Sequence, residues 1–68
     1  MKQPSLCFET RHTKTGEVII RRSGPVLVSC GSLVMRATLK QVYDEQPEFE
    51  STESRCVIRG VTDWREEA

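Results

Sequence analysis

Several stretches of this 68-residue chain alternate apolar and polar residues with a period of two. That is the spacing of strands with one buried face. Residues 5–11 (SLCFETR) and 17–22 (EVIIRR) are the first such stretches, separated by His12-Thr13-Lys14-Thr15-Gly16. A loop ending in glycine fits a hairpin here, because glycine takes the positive φ that closes such turns. Setting Arg11 opposite Glu17 pairs Thr10 with Val18 and Phe8 with Ile20, and places opposite charges beside the turn.

Ser23-Gly24-Pro25 reads as a turn and Val26-Leu27-Val28-Ser29-Cys30 as the next strand. Gly31-Ser32 then predicts a two-residue type II′ turn, which needs positive φ at its first position. In that register Cys30 faces Leu33, Val28 faces Met35 and Val26 faces Ala37, so all six share one side of the sheet. Turn chemistry and alternation agree independently.

Residues 33–43 (LVMRATLKQVY) hold good helix formers, and Ser32 is a candidate N-cap. A helix there would carry Arg36 near its start and Asp44-Glu45 at its end, against the macrodipole. Leu33, Met35, Ala37 and Leu39 alternate with Arg36, Thr38 and Lys40, which predicts a strand. Residues 44–53 (DEQPEFESTE) read as a solvated acidic loop anchored by Phe49. Residues 55–61 read as a last strand with Cys56 and Ile58 inward. Asp63, three residues before Glu66, predicts one terminal helical turn, with Trp64 folded onto the core edge. The resulting expectation is an all-β domain over residues 1–68, a five-stranded antiparallel meander or small barrel with a short C-terminal helical turn. The alternative is an α+β domain ordered β-hairpin, strand, helix, strand.

A domain this short sits near the lower limit of independent folding and needs an extra source of stability. Cys7, Cys30 and Cys56 are odd in number, widely spaced and without a C-x-x-C pair, and one histidine cannot complete a zinc shell with them. They read as buried thiols in a reducing compartment, with a bridge between two of them as the alternative in an oxidising one, and self-association is the expected extra source of stability. Met1-Lys2-Gln3-Pro4 opens no secretory signal, and no run reaches the roughly 18–20 apolar residues of a membrane span. The expected location is cytoplasmic, with no membrane partner.

The formal net charge is zero, but the charges are sorted. Residues 1–40 hold Lys2, Arg11, Lys14, Arg21, Arg22, Arg36 and Lys40 against Glu9 and Glu17, while residues 41–68 hold eight acids against Arg55, Arg59 and Arg65. The halves therefore carry +5 and −5, an asymmetry that prepares a surface for a charged partner.

Catalysis finds little support. His12 lies in a polar turn, Cys30 follows the inward parity of Val26 and Val28, and neither a G-x-S-x-G elbow nor a phosphate loop is present. The acids of 44–53 lack the spacing of a calcium loop. No cofactor or metal is expected.

Binding is better supported. Extending the inward parity of Val26, Val28 and Met35 points Ile19, Leu27 and Val34 outward, with Val42 and Val57 as further candidates. Arg21, Arg36 and Lys40 are expected on the same face. Ile19, Arg21, Leu27, Val34, Arg36 and Lys40 thus form a candidate protein-binding surface for an unidentified protein or a second copy in a homodimer. The alternative partner is nucleic acid, held by Arg11, Arg21, Arg22, Arg36 and Lys40 with Lys14 at the hairpin tip, though no aromatic platform for stacking bases is evident. Asp44, Glu45, Glu48, Glu50 and Glu53 form a candidate acidic surface, able to compete for a basic partner as phosphates do. The expected function is a small non-enzymatic interaction module, accessory or inhibitory in role.

Overall fold

The computed structural model describes residues 3–67. It contains seven strands and no helix among the described residues: β1 (Phe8–Arg11), β2 (Val18–Arg22), β3 (Val26–Cys30), β4 (Leu33–Val42), β5 (Glu48–Ser51), β6 (Val57–Ile58) and β7 (Asp63–Glu66). All pairings are antiparallel and form one open sheet. The all-β expectation holds, whereas the five-strand count, the meander and the barrel do not.

The ten-residue β4 is the axis of the sheet. Along one edge lie β2 and β3 end to end, Ile20–Arg22 opposite Val42–Lys40 and Val26–Cys30 opposite Ala37–Leu33. Along the other edge runs β5, with β6 beyond it. Outside β2 and β3 lie β1 and β7 respectively. Residues 33–42 are therefore a strand, and the α+β alternative fails. The β3–β4 hairpin has the register that the turn and the alternation predict, with Gly31 at φ 63° in the first turn position.

Three local expectations are corrected. The terminal segment 63–66 pairs with β3 instead of forming a helical turn, and this sets Trp64 opposite Val28 on the core side. Residues 44–53 are not one loop, because Glu48–Ser51 pair with β4 and bury Phe49 and Glu50. The first hairpin is shifted by two residues: Phe8 faces Arg22, Thr10 faces Ile20, and Arg11 faces Val18 across a bulge. A two-residue shift keeps every side chain on its face, so the apolar pattern alone does not select between these registers. The loop sets the first residue of the shift, through His12 N–H donating to Glu17 C=O at 2.8 Å and Gly16 N–H donating to His12 C=O at 2.9 Å, and the extra residue Ile19 at the bulge adds the second.

The core consists of Val26, Val28, Ala37, Leu39 and Phe49, with Leu6, Met35, Ile58, Val61 and Trp64 packed around it. The cysteines contribute little to it. Cys7 and Cys56 are exposed, Cys30 is half-buried on the inner side, and all three are free, against the expectation of buried thiols. Cys56 falls in the turn before β6 and not in the strand, so the inward alternation begins only at Ile58.

Between β2 and β3 the chain takes one extra step. Arg22 and Val26 are four residues apart, whereas their partners Lys40 and Ala37 are three apart. The surplus residue lies in the Ser23-Gly24-Pro25 bulge, and it inverts the in–out alternation. Even-numbered residues face the core in β3 and away from it in β2. Buried Ser23 closes the bulge: its N–H donates to Leu39 C=O at 2.9 Å, and its Oγ accepts from Leu39 N–H at 2.8 Å while donating to Gly24 C=O at 2.9 Å.

Candidate protein-binding face

The face opposite the core is built on alternate residues of β4: Val34, Arg36, Thr38, Lys40 and Val42. Cross-strand partners extend each of these into a row. Val34 lies beside Ser29, and Arg36 beside Leu27, which adjoins Arg65 on its other side. Thr38 lies beside Glu50, which adjoins Val57 on its other side. Lys40 stands between Arg22 and Glu48, with Phe8 next to Arg22, and Val42 adjoins Ile20 and Thr10.

Of the six candidate protein-binding residues, Leu27, Val34, Arg36 and Lys40 share this outer face. Ile19 and Arg21 do not. Arg21 lies opposite Gln41 and Glu9, on the side whose β4 positions continue Ala37 and Leu39. Ile19 is the extra residue of the β1–β2 bulge, and its carbonyl accepts from Tyr43 N–H at 2.7 Å. The inversion at Ser23–Pro25 is the reason, since it puts Arg22 in the place that continuous alternation would give Arg21. Val42 and Val57 do lie on the outer face.

Glu50 is the electrostatic centre of this face. Its side chain is 10% exposed beneath three cations: Arg22 Nη1 at 3.0 Å, Lys40 Nζ at 3.4 Å and the exposed Arg55 Nη1 at 3.9 Å. Burial pushes the Glu50 carboxyl up, but hydrogen bonds and charge from Arg22 and Lys40 outweigh it and hold the carboxyl below its ordinary range. The candidate acidic surface is accordingly divided. Glu50 is buried and neutralised, whereas Asp44, Glu45, Glu48 and Glu53 are exposed on the β4–β5 turn, β5 and the β5–β6 turn.

The candidate bases are mostly paired as well. Arg36 Nη2 lies 2.6 Å from Glu67, and on the opposite face Glu9 holds both Arg11 and Arg21 at 3.4 Å. Lys14, at the hairpin tip, makes no ion pair among the described residues. Exposed apolar side chains accompany these charges: Val34, Val57 and Phe8 on the outer face, Leu33 at the β3–β4 tip and Tyr43 beyond β4.

Sequence reasoning missed three of these: Phe8 and Tyr43, having found no exposed aromatic, and Leu33, which parity grouped with the inward residues of β3 and β4. Phe8 is 61% exposed because β1 is an edge strand that pairs with β2 alone among the described residues, and Tyr43 stands at φ 51° where β4 turns away. The burial of Glu50, a candidate of the acidic surface, was missed too, although the alternation of Glu48, Phe49, Glu50 and Ser51 opposite Lys40 was its signal.

Among the described residues no group of three or more His, Cys, Asp or Glu side chains is placed to hold a metal ion. No helix among them is long and apolar enough to cross a membrane. In comparisons with known proteins, no family model matches the chain, and neither a curated protein nor a solved structure does so.

Proposed function

We propose that this chain is a small non-enzymatic protein-interaction module that self-associates and acts as an accessory or inhibitory binding protein, with the outer sheet face as its contact surface. One observation carries the reading: the outer face leaves Phe8, Val34 and Val57 exposed while its Arg22, Lys40 and Arg36 are already held by Glu50 and Glu67. Aliphatic and aromatic side chains around satisfied ion pairs suit a protein surface, where arginine and aromatic residues are enriched. Free cysteines, two of them exposed, fit a reducing cytoplasm.

The test is substitution of the exposed Val34 by glutamate, followed by sedimentation across a concentration series. The expected result is weakened association with the fold retained. A wild-type chain that stays monomeric at high micromolar concentration removes the self-association half of the reading.

A second reading, nucleic-acid binding, is favoured by a different observation. Three cations share the single Glu50 carboxylate, and Phe8 adjoins Arg22 on the same face. A base-stacking surface needs such an aromatic beside surplus positive charge. Loss of Phe8 would then weaken binding to single-stranded DNA.

A further inference from the structure

We infer that the free edge of β1 is a homodimerisation strand, on which a second copy adds its own β1 antiparallel about a two-fold axis at Thr10. This rests on the self-associating reading above and adds the sheet edge to the outer face as a second contact between copies.

Backbone geometry comes first. His12 N–H donates to Glu17 C=O, and Tyr43 N–H donates to Ile19 C=O. Backbone groups alternate sides along a strand, so Phe8, Thr10 and His12 direct theirs at β2 while Glu9 and Arg11 direct theirs outward. Among the described residues β1 pairs with β2 alone, and all four of its residues are exposed. The Glu9 and Arg11 backbone groups are therefore a ready ladder for an added strand.

Charge selects the occupant. With the two-fold axis at Thr10, Glu9 of one copy falls opposite Arg11 of the other, and the symmetric pair repeats it. Both residues lie on the same side of β1, as directly opposed cross-strand residues must. The register that joins the outward hydrogen-bonding residues is thus the register that matches the charges. Within one chain Glu9 is only loosely engaged, at 3.4 Å from Arg11 and 3.4 Å from Arg21, with all three side chains more than a third exposed. Such pairs contribute little and exchange readily. A strand of uniform charge would meet repulsion from either Glu9 or Arg11, so the edge discriminates in favour of its own sequence. Because one patch meets its own copy, association through this edge closes at two chains. So short a strand lies at the weak end of interface sizes, and association is expected at micromolar concentration or above.

The experiment is sedimentation velocity on the full chain, with Arg11→Glu, Glu9→Arg and the double exchange compared at matched concentration and with melting curves to check folding. Each single exchange sets like charges opposite each other and should weaken dimerisation about tenfold. The double exchange restores opposite charges and should restore the dimer, which general destabilisation cannot do. Hydrogen exchange supplies a second readout: the Glu9 and Arg11 amides should gain protection with concentration while the Val28 amide does not change. A wild-type chain monomeric throughout overturns the proposal. A dimer unaffected by either single exchange but lost with Val34→Glu also overturns it, while leaving the outer-face reading standing.

Discussion

Arg22 and Glu50 lie on strands that do not pair with each other, yet the guanidinium donates to the carboxylate at 3.0 Å across the width of β4. Lys40, on β4 between them, reaches the other carboxylate oxygen at 3.4 Å. One acid thus ties three strands together on the face away from the core. Charge-assisted bonds of this kind are stronger than neutral ones, and this one is partly shielded from solvent.

Glu50→Gln should therefore destabilise the domain by about 1–3 kcal/mol at neutral pH, because Arg22 and Lys40 keep their charge and lose its partner. The pH dependence follows from the lowered carboxyl pKa. The stabilisation is present in full above the ordinary carboxylate range and is lost as the pH falls through the lower folded value, where the native carboxylate takes up its proton. Denaturant titrations at neutral and acid pH should show the wild type losing its advantage over Glu50→Gln on acidification. A constant difference between the two at all pH values would contradict this role.

Ser23 offers a sharper test of the bulge. Its hydroxyl is the partner of the Leu39 N–H, and Leu39 is 1% exposed, so Ser23→Ala leaves a buried donor without an acceptor. An unsatisfied buried backbone donor costs about 1–3 kcal/mol. Ser23→Thr keeps the acceptor and should lose less. Chemical denaturation of the two variants checks the order, and equal losses would mean that volume, not the hydrogen bond, matters at this site.

How much of this was legible beforehand depends on whether information was local. Gly31-Ser32 and the flanking alternation are local and mutually consistent, and the β3–β4 hairpin matches them residue for residue. The strand character of 33–42 was legible for the same reason, since its period of two outweighs its helix-forming composition. The Ser23–Pro25 bulge was not, because one surplus residue is visible only against the partner strand, and missing it moved Ile19 and Arg21 to the wrong face. β5 was missed because its acids look solvated until Arg22 and Lys40 are brought across from other strands. β7 was missed because four residues satisfy a helical cap and an edge strand equally well; only the free side of β3 decides between them.

Arg55 occupies the left-handed region at φ 62° in the turn between β5 and β6. Its N–H donates to Ser51 C=O at 3.0 Å, the bond that closes the turn. A side chain in that conformation costs about 1–2 kcal/mol, of which glycine's greater unfolded freedom returns about 0.5–1. The side chain lies 3.9 Å from Glu50 and is 72% exposed, so its loss removes little. Arg55→Gly should raise stability by up to about 1 kcal/mol, measured as a higher denaturation midpoint with an unchanged slope. A lower midpoint would mean that the Arg55–Glu50 contact outweighs the backbone strain.

Salt dependence discriminates between the two functional readings. A basic face that holds phosphates releases counterions, and its affinity falls steeply with salt, by roughly one unit of logarithmic slope per phosphate contact. Here Arg22 and Lys40 are bound to Glu50, Arg36 to Glu67, and Arg11 and Arg21 to Glu9, so phosphates would have to compete with carboxylates already in place. The expected outcome is weak retention on heparin even at low salt, strengthened by Glu50→Gln, which frees Arg22 and Lys40. Strong retention of the wild type, abolished by Phe8→Ala together with Lys40→Ala, would instead assign the outer face to nucleic acid, with the aromatic stacking and the lysine contacting phosphate.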